Sequence, residues 1–288
     1  MMLDAALAPW WSWPLALFAI SFAIGVFAVL TGAGGGVLFV PIVGGFFPFH
    51  LDFVRGAGLL LALSGALSAA PALLREGLAS LRLALPLALV GSVTSIAGAL
   101  IGLALPTRIV EIALGITIIG IAVLMGRTAK SDYPEVTAAD RIAIALGVQG
   151  SYYDHATSRR VDWQVHRTPA AMVAFAGIGL IAGMFGLGAG WANVPVFNLL
   201  MGAPLKLAVG TSGFLLSVVD TSAAWVYLNR GAVLPMLVVP SIVGVMLGAK
   251  VGARMLRATP AALVRRVVVI LLALAGARAL LKGTGLWS

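Results

Sequence analysis

The sequence predicts an all-α polytopic membrane protein made of two pseudo-symmetric halves, arranged as inverted repeats. Each half is expected to hold a glycine-broken helical hairpin and three transmembrane helices. Three observations lead to this fold: the composition, a repeat at a spacing of 154 residues, and the placement of Lys and Arg. Of 288 residues, 61% are hydrophobic and 10% are charged, with a mean hydropathy of +1.07. Such a composition is typical of a bilayer-embedded chain and argues against a globular enzyme.

Eight hydrophobic runs fill most of the chain, and most are long enough to cross a bilayer, which takes about 20 residues. They lie at 13–47, 53–74, 81–105, 109–126, 169–201, 204–228, 232–256 and 263–281. The first eleven residues carry Asp4 but no Lys or Arg, unlike a signal peptide, so the first run is expected to be structural. The chain contains no cysteine, which excludes disulfides, thiol relays and iron–sulfur clusters.

Two of these runs are interrupted by glycine clusters that match each other at a spacing of 154 residues. The clusters are Thr31-Gly32-Ala33-Gly34-Gly35-Gly36, followed by Pro41, and Phe185-Gly186-Leu187-Gly188-Ala189-Gly190, followed by Pro195. The same spacing aligns ten Gly or Pro positions in all, where about two are expected by chance, and transporters often contain such internal repeats. Within lipid, a broken helix persists only where protein or a polar cavity satisfies the freed backbone groups. The repeated break therefore predicts a substrate site.

The Lys and Arg residues between the runs indicate how the halves are oriented. If every run crosses once, the two sides carry eleven and eight of these residues. If each broken run enters and returns to the same side, the split becomes fourteen against five, which the positive-inside rule favours. This path places both termini outside and relates the halves by a pseudo-twofold axis in the membrane plane. With 35 and 33 residues in the broken runs, each hairpin leg is expected to be shorter than a full crossing.

The halves are predicted at 1–126 and 168–288, with a cytoplasmic linker at 127–167 between them. The linker is the only substantial polar segment, with six Lys or Arg and five acidic residues. Within it, residues 147–154 and 160–167 are rich in Val, Tyr and Trp, which predicts a β-hairpin. Its role is regulatory or connective, and surface loops are usually connective.

The half-helices that begin after Gly36 and Gly190 are expected to bind an anion. A helix start presents unpaired N–H groups and the positive end of the helix dipole. The candidate substrate-binding residues combine the glycine clusters with nearby hydrogen-bond donors: Thr31, Gly34, Gly35, Gly36, Arg55, Gly188, Ala189, Gly190, Asn193, Thr211 and Ser212. For the Ser and Thr residues, the alternative is a hydrogen bond to a carbonyl of their own helix.

Asp220 is the one acidic residue well inside a predicted run, and Ala66 occupies its repeat position. Acids inside a membrane are costly and usually face a transport pathway or a partner. Asp220 is therefore a candidate for proton coupling. A hydrogen-bonded or protonated structural role is the alternative, and charge repulsion argues against direct contact with an anionic substrate.

Several other functional classes lack the residues that they need. Val37 and Trp191 stand where a dinucleotide-binding fingerprint would have its third glycine. His50, His155 and His166 fall in predicted loops, so no base accompanies a nucleophile inside the membrane. We predict no enzyme activity, cofactor or metal. The net charge of +9 is attributed to membrane topology rather than to nucleic acid, which leaves a small anionic substrate and lipid as partners, with the oligomeric state left open.

Motifs throughout the chain carry a family resemblance. Besides the paired glycine breaks and prolines, they are the stretch Asn198-Leu199-Leu200-Met201-Gly202-Ala203-Pro204-Leu205-Lys206, Thr211-Ser212, Tyr227-Leu228-Asn229-Arg230-Gly231, and Gly150-Ser151-Tyr152-Tyr153-Asp154. Together these residues resemble the sulfite exporter TauE/SafE family. The resemblance implies a multi-pass carrier of the bacterial inner membrane for sulfite, organosulfonates or sulfoacetate, often acting in efflux. The chain departs from the family pattern at 189–193 and at Gly213, where a triplet glycine, a lysine and an amide are expected.

The expected function is therefore export of a small sulfur-containing anion by alternating access. The alternative is an anion channel of different selectivity, in which the same pocket forms an open constriction. A non-transporting scaffold is a third reading, against which the costly repeated glycine breaks argue.

Overall fold

The computed structural model describes residues 11–31, 34–75, 79–127, 134, 136, 138–154, 159–255 and 261–285. Its helices are α1 (Ser12–Thr31), α2 (Gly36–Phe46), α3 (Leu51–Arg75), α4 (Leu81–Ala104), α5 (Thr107–Arg127), α6 (Arg141–Ala145), α7 (Thr168–Phe185), α8 (Gly190–Pro195), α9 (Leu205–Asn229), α10 (Pro235–Met255) and α11 (Ala261–Thr284). A π-helical turn (Val196–Leu200) continues α8, and strands β1 (Gln149–Asp154) and β2 (Arg159–Gln164) are antiparallel. Six of the described helices are long and apolar enough to cross a membrane. The predicted all-α polytopic membrane fold is confirmed.

The spacing of 154 residues recurs in the helix boundaries. In the first half, α2, α3, α4 and α5 each begin 154 residues before α8, α9, α10 and α11, respectively. The two halves therefore place their short helix and their three long helices at matching positions along the chain.

Both glycine-broken runs form hairpins that return to the end at which they began. Trp13, near the start of α1, packs edge-on against Phe47 and Phe49 just after α2, with ring centroids 5.7 and 6.1 Å apart. In the second half, the N–H of His166, before α7, donates to the carbonyl of Met201, just after the π-helical turn, at 3.0 Å. The start and the end of each hairpin thus lie side by side.

The two legs of each hairpin are unequal. The first legs, α1 and α7, have 20 and 18 residues, and α2 has 11. The second leg of the second half consists of six residues of α8 and five of the π-helical turn. At 1.5 Å per residue, the first legs are about 27–30 Å long and α2 is about 16 Å. The expectation that every leg is shorter than a crossing is wrong for α7, which is long and apolar enough to cross, and α1 is two residues longer, because each break lies past the middle of its run.

Long helices of one half pack against long helices of the other. Against α1, α10 brings its glycines so close that a methyl group added at Gly244 would lie 2.5 Å from the carbonyl oxygen of Phe18. One added at Gly252 would lie 2.7 Å from that of Val26. Residue numbers rise together along the two helices, so α1 and α10 run parallel. The pair formed by α4 and α7 is parallel in the same way.

The matched helices α5 and α11 pack against each other in opposite directions. A methyl group at Gly283 would lie 2.9 Å from the backbone nitrogen of Ile112, and one at Gly276 would lie 2.9 Å from the side chain of Ile119. Numbers rise along α5 while they fall along α11, so this pair is antiparallel.

One carboxylate joins the linker to the second half. Asp140 accepts hydrogen bonds from the N–H of Ala143 in α6 and the N–H of Thr168 in α7, at 2.8 and 2.5 Å. Burial alone would raise the pKa of Asp140, but these backbone hydrogen bonds outweigh it and hold the pKa below its ordinary 3.8. Asp140 therefore caps two helix starts at once.

The strands of the linker pair in register from Gln149 with Gln164 to Asp154 with Arg159. Their connecting turn lies outside the described residues. The strands and the segment that contains Gly202 border a cavity of about 630 Å³ at the end of the second hairpin. No residue of the two glycine breaks lines this cavity.

Candidate functional site

The two hairpin tips meet inside the molecule. Gly34 has a φ of 80°, and a methyl group added to it would lie 3.9 Å from the Cα of Gly190. A methyl group added at Gly36 would lie 2.6 Å from the carbonyl oxygen of Leu187 in the other tip. A side chain does not fit at that distance, so glycine at position 36 is what allows the two breaks to touch.

Helices α3 and α9 hold the tips in a reciprocal way. Leu216 of α9 lies 3.4 Å from the Cβ position of Gly34, in the first tip. Ala62 of α3 lies 2.9 Å from the Cβ position of Gly188, in the second tip. Ala62 and Leu216 are 154 residues apart, as are Gly34 and Gly188. Each half therefore closes over the break of the other half.

Both short helices begin in buried surroundings without a side-chain cap. The residues before their first turns, Gly35 for α2 and Ala189 for α8, supply no capping hydrogen bond. Gly35, Gly36, Ala189 and Gly190 are all buried. The first N–H groups of a helix have no acceptor within that helix, and they carry the positive end of its dipole. Buried donors that suit an anion are thus concentrated where the tips meet.

Several polar side chains at and around the second break are buried with atoms that no described residue satisfies. These atoms are Nε1 of Trp191, both polar side-chain atoms of Asn193 and both carboxyl oxygens of Asp220. Asn193 and Asp220 are 0% exposed. The Cβ position of Gly188 lies 2.9 Å from Oδ2 of Asp220, which places the carboxyl group directly at the tip. Buried polar groups usually have hydrogen-bond partners, so this cluster of atoms is a candidate binding site.

The predicted hydroxyl donors occupy different places. Thr31 is the last residue of α1, and its side chain lies outside the described part of the chain. Thr211 is buried, and its hydroxyl oxygen accepts the N–H of Ser80 at the start of α4, at 3.1 Å. Ser212, 4% exposed, stands at the repeat position of Gly58, which packs against the second break. The repeat partner of Ser212 therefore contacts the second tip.

The side chain of Arg55 is held by the protein itself. Its Nη1 donates to the carbonyls of Gly102, near the end of α4, and Met184, near the end of α7, at 3.0 and 2.9 Å. Nη2 pairs with Asp52, and the guanidinium lies 5.8 Å from the ring centre of Tyr227. Arg55 is thus close to the second break, but its positive charge is hydrogen-bonded to the carbonyls at the negative ends of two helices.

Three residues at the tips were not among the predicted site residues. Ala62 and Leu216 are repeat partners, so the spacing of 154 residues could have identified them once Gly34 and Gly188 were chosen. Trp191 packs against the apolar clusters of both halves. No pattern in the sequence indicates that its indole N–H is buried.

The polar groups at and beside the tips are backbone N–H groups, an amide and a carboxyl group. His50 lies just before α3, and His166 lies between β2 and α7. In the described part of the chain, no three His, Cys, Asp or Glu side chains lie close enough to hold a metal ion. The arrangement offers hydrogen-bond donors to a small anion.

Comparison with known families agrees with this geometry. The family model described as sulfite exporter TauE/SafE matches residues 17–279, which include everything from α2 to α10, most of α1 and most of α11. No curated protein and no solved structure matches the chain. The chain therefore belongs to the sulfite exporter TauE/SafE family of membrane transporters.

Proposed function

We propose that the protein exports small sulfur-containing anions, such as sulfite, organosulfonates or sulfoacetate, through the site between the hairpin tips. The observation that supports this most directly is the meeting of two buried, uncapped helix starts, at Gly36 and Gly190. Sulfite and sulfonate groups carry several oxygens around one sulfur atom, so they can accept hydrogen bonds from several backbone N–H groups at once. Family membership supports the sulfur-anion class.

We further infer that the halves are inverted repeats and that the site is exposed alternately to the two sides. The antiparallel pairing of α5 with α11 supports inversion, because matched helices run oppositely across an axis in the membrane plane. The first leg of each hairpin packs against a long helix of the other half, α1 against α10 and α7 against α4. This reciprocal packing supports a twofold relation. The site lies at the meeting point of the repeats, as in other transporters of this construction.

We place the linker in the cytoplasm and the protein in the bacterial inner membrane. Fourteen of the 19 Lys and Arg residues fall on the linker side when each broken run returns to its own side. The returning hairpins support that path.

Exchange in liposomes tests the function. Purified protein is reconstituted, the vesicles are loaded with unlabelled sulfite, taurine or sulfoacetate, and entry of the labelled anion is followed. We expect saturable exchange of sulfur anions and much slower exchange of lactate. Absence of saturable flux for every sulfur anion contradicts the proposal. Electrical recording distinguishes a carrier from the alternative, an anion channel. A channel passes many thousands of ions per second and a carrier does not.

A further inference from the structure

Asp220 places one carboxyl group against the second hairpin tip. The residue is 0% exposed, and neither carboxyl oxygen has a hydrogen-bond partner with good geometry among the described residues. The backbone N–H of Ala189 is the group that interacts with it. A methyl group at Gly188 would lie 2.9 Å from Oδ2, so only the hydrogen of glycine separates the tip from the carboxyl group.

Among the described side chains of the neighbouring helices α3 and α4, no cation offsets this charge. Ala62 of α3 packs on the same glycine as Asp220. Arg55, two turns earlier on α3, is bound to helix ends and to an aspartate. From α4, Ser95 approaches α9, and its hydroxyl donates to the carbonyl of Val219 rather than to the carboxyl group.

The other elements around Asp220 also lack a partner for it. Helices α7 and α8 and the π-helical turn contain no titratable side chain. On α9 itself, Lys206 lies about four turns before Asp220. Tyr227 lies about two turns after it and donates its hydroxyl to the carbonyl of Gly183 at 3.0 Å. No titratable group on these elements therefore reaches the carboxyl group.

An ionised carboxylate without a cation or an aligned donor is strongly disfavoured in a closed, buried site. It would also repel an anion bound to the N–H groups of the adjacent tips. A neutral carboxylic acid carries no charge that must be buried and does not repel the anion. We infer that Asp220 is a proton-binding site, and that each transported anion crosses together with one proton on Asp220. This inference rests on the proposed function and adds the coupling ion to it.

The repeat limits the number of protons. Ala66 occupies the position of Asp220 in the first half, so the described halves provide one such carboxyl group per molecule. A stoichiometry of one proton per anion follows. A pH difference that is acidic outside then favours entry of the anion, whereas an interior-negative potential favours exit of a divalent anion that carries one proton.

Accumulation driven by a pH difference tests the inference in the wild-type protein. Liposomes with the membrane potential clamped to zero receive labelled sulfoacetate, either at equal pH or with the outside one pH unit more acidic. At equilibrium, coupling to one proton gives about tenfold accumulation per pH unit, since one unit corresponds to a factor of ten in proton activity. A pH-sensitive dye inside the vesicles should report acidification that depends on the anion.

The variant Asp220→Asn keeps the size of the side chain and removes the titration. Whatever exchange this variant retains at equal pH, it should show no accumulation with a pH difference, because the amide cannot carry the proton. Ser217→Ala is the matched control. Ser217 lies one turn earlier on the same helix and donates only within that helix, to Phe214, so this variant should keep the tenfold accumulation.

Each outcome bears on one claim. Wild-type exchange at equal pH without pH-driven accumulation overturns the coupling and leaves the proposed function intact. Absence of wild-type exchange for any sulfur anion contradicts the proposed function instead. Undiminished pH-driven accumulation by Asp220→Asn also overturns the inference. If that variant does not fold, the wild-type accumulation and dye signal decide.

Discussion

Arg55 and Asn193 are both buried polar residues that were predicted to contact substrate, and the structure places them in different surroundings. Arg55 is 2% exposed and binds two helix-end carbonyls and an aspartate. Asn193 is 0% exposed, and neither polar atom of its side chain has a partner in the described chain. Arg55 is thus bonded to two helix ends, whereas the two N–H donors and the carbonyl oxygen of the Asn193 side chain have no partner among the described residues.

Removing the Arg55 side chain should destabilise the protein substantially. Arg55→Ala leaves the carbonyl of Gly102 and the carboxylate of Asp52 without their donor, which costs about 3 kcal/mol in the free energy of unfolding. The matched control is Arg108→Ala, since exposed Arg108 also donates to a helix-end carbonyl, that of Gly283, at 3.0 Å. Its loss should cost less than about 1 kcal/mol. Unfolding in detergent measures both, and equal losses would refute the role given to Arg55.

Enlarging a residue at either tip should block binding. Gly35→Leu and Ala189→Leu add bulk where the buried helix starts meet, so the affinity for sulfoacetate should fall at least about tenfold. Gly65→Leu is the control, because no atom lies within 4 Å of its Cβ position. All three proteins should elute as folded, monodisperse species, and binding is measured by calorimetry. Undiminished affinity in both tip variants would remove the tips from the site.

Among the elements, the two short legs show that the repeats have diverged. In the first half, α2 continues as an α-helix through Pro41 to Phe46. In the second half, α8 ends at Pro195 and changes to a π-helical turn, in which the N–H of Met201 donates to the carbonyl of Val196 at 3.0 Å. A π-helical turn commonly accompanies a functional site. Here it follows the tip that carries the unsatisfied polar atoms.

The stability of the contact between the linker and the start of α7 should depend on pH, because Asp140 must be ionised to accept both hydrogen bonds. Because backbone hydrogen bonds lower the pKa of Asp140, its contribution to stability is complete well above 3.8 and is lost as the pH falls below 3.8 through the lowered pKa. Asp140→Ala should weaken each of the two caps by about 1 kcal/mol and remove this dependence. Hydrogen exchange at Ala143 and Thr168, compared at pH 6 and pH 3, measures the effect.

A carboxylate elsewhere in the linker provides the control for Asp140. Asp162 is exposed and lies 3.8 Å from Arg160, without capping a helix. Asp162→Ala should leave hydrogen exchange at the two capped helix starts unchanged. Normal protection at pH 6 in Asp140→Ala would show that the double cap does not hold the linker against α7.

Across the whole molecule, the returning path of the hairpins determines which ends share a side of the membrane. The chain contains no cysteine, so single cysteines can be introduced without background. A membrane-impermeant maleimide applied to intact cells should label Trp11→Cys and Thr284→Cys. It should label Gln149→Cys, in the linker hairpin, only after permeabilisation. Labelling of all three positions from the same side would contradict the assigned topology.

Much of the architecture could be predicted because it depends on patterns within single segments. The glycine clusters and the repeat spacing predicted the hairpins, and the hydrophobic runs predicted the long helices. The unequal lengths of the legs also follow from the clusters, because α1 and α7 end, and α2 and α8 begin, at the bounds of the two clusters. The lengths of the whole runs, taken alone, wrongly suggested that every leg is short. The contacts of the Arg55 side chain could not be predicted. Its acceptors Gly102 and Met184 are distant in sequence and come together only when α4 packs against α7.

The parallel pairs α1–α10 and α4–α7 have a consequence for how the chain folds. The long leg of each hairpin packs against a glycine-lined helix of the other half. Neither half alone can therefore cover the long leg of its own hairpin. We expect the two halves, produced as separate polypeptides, to fold only when both are present.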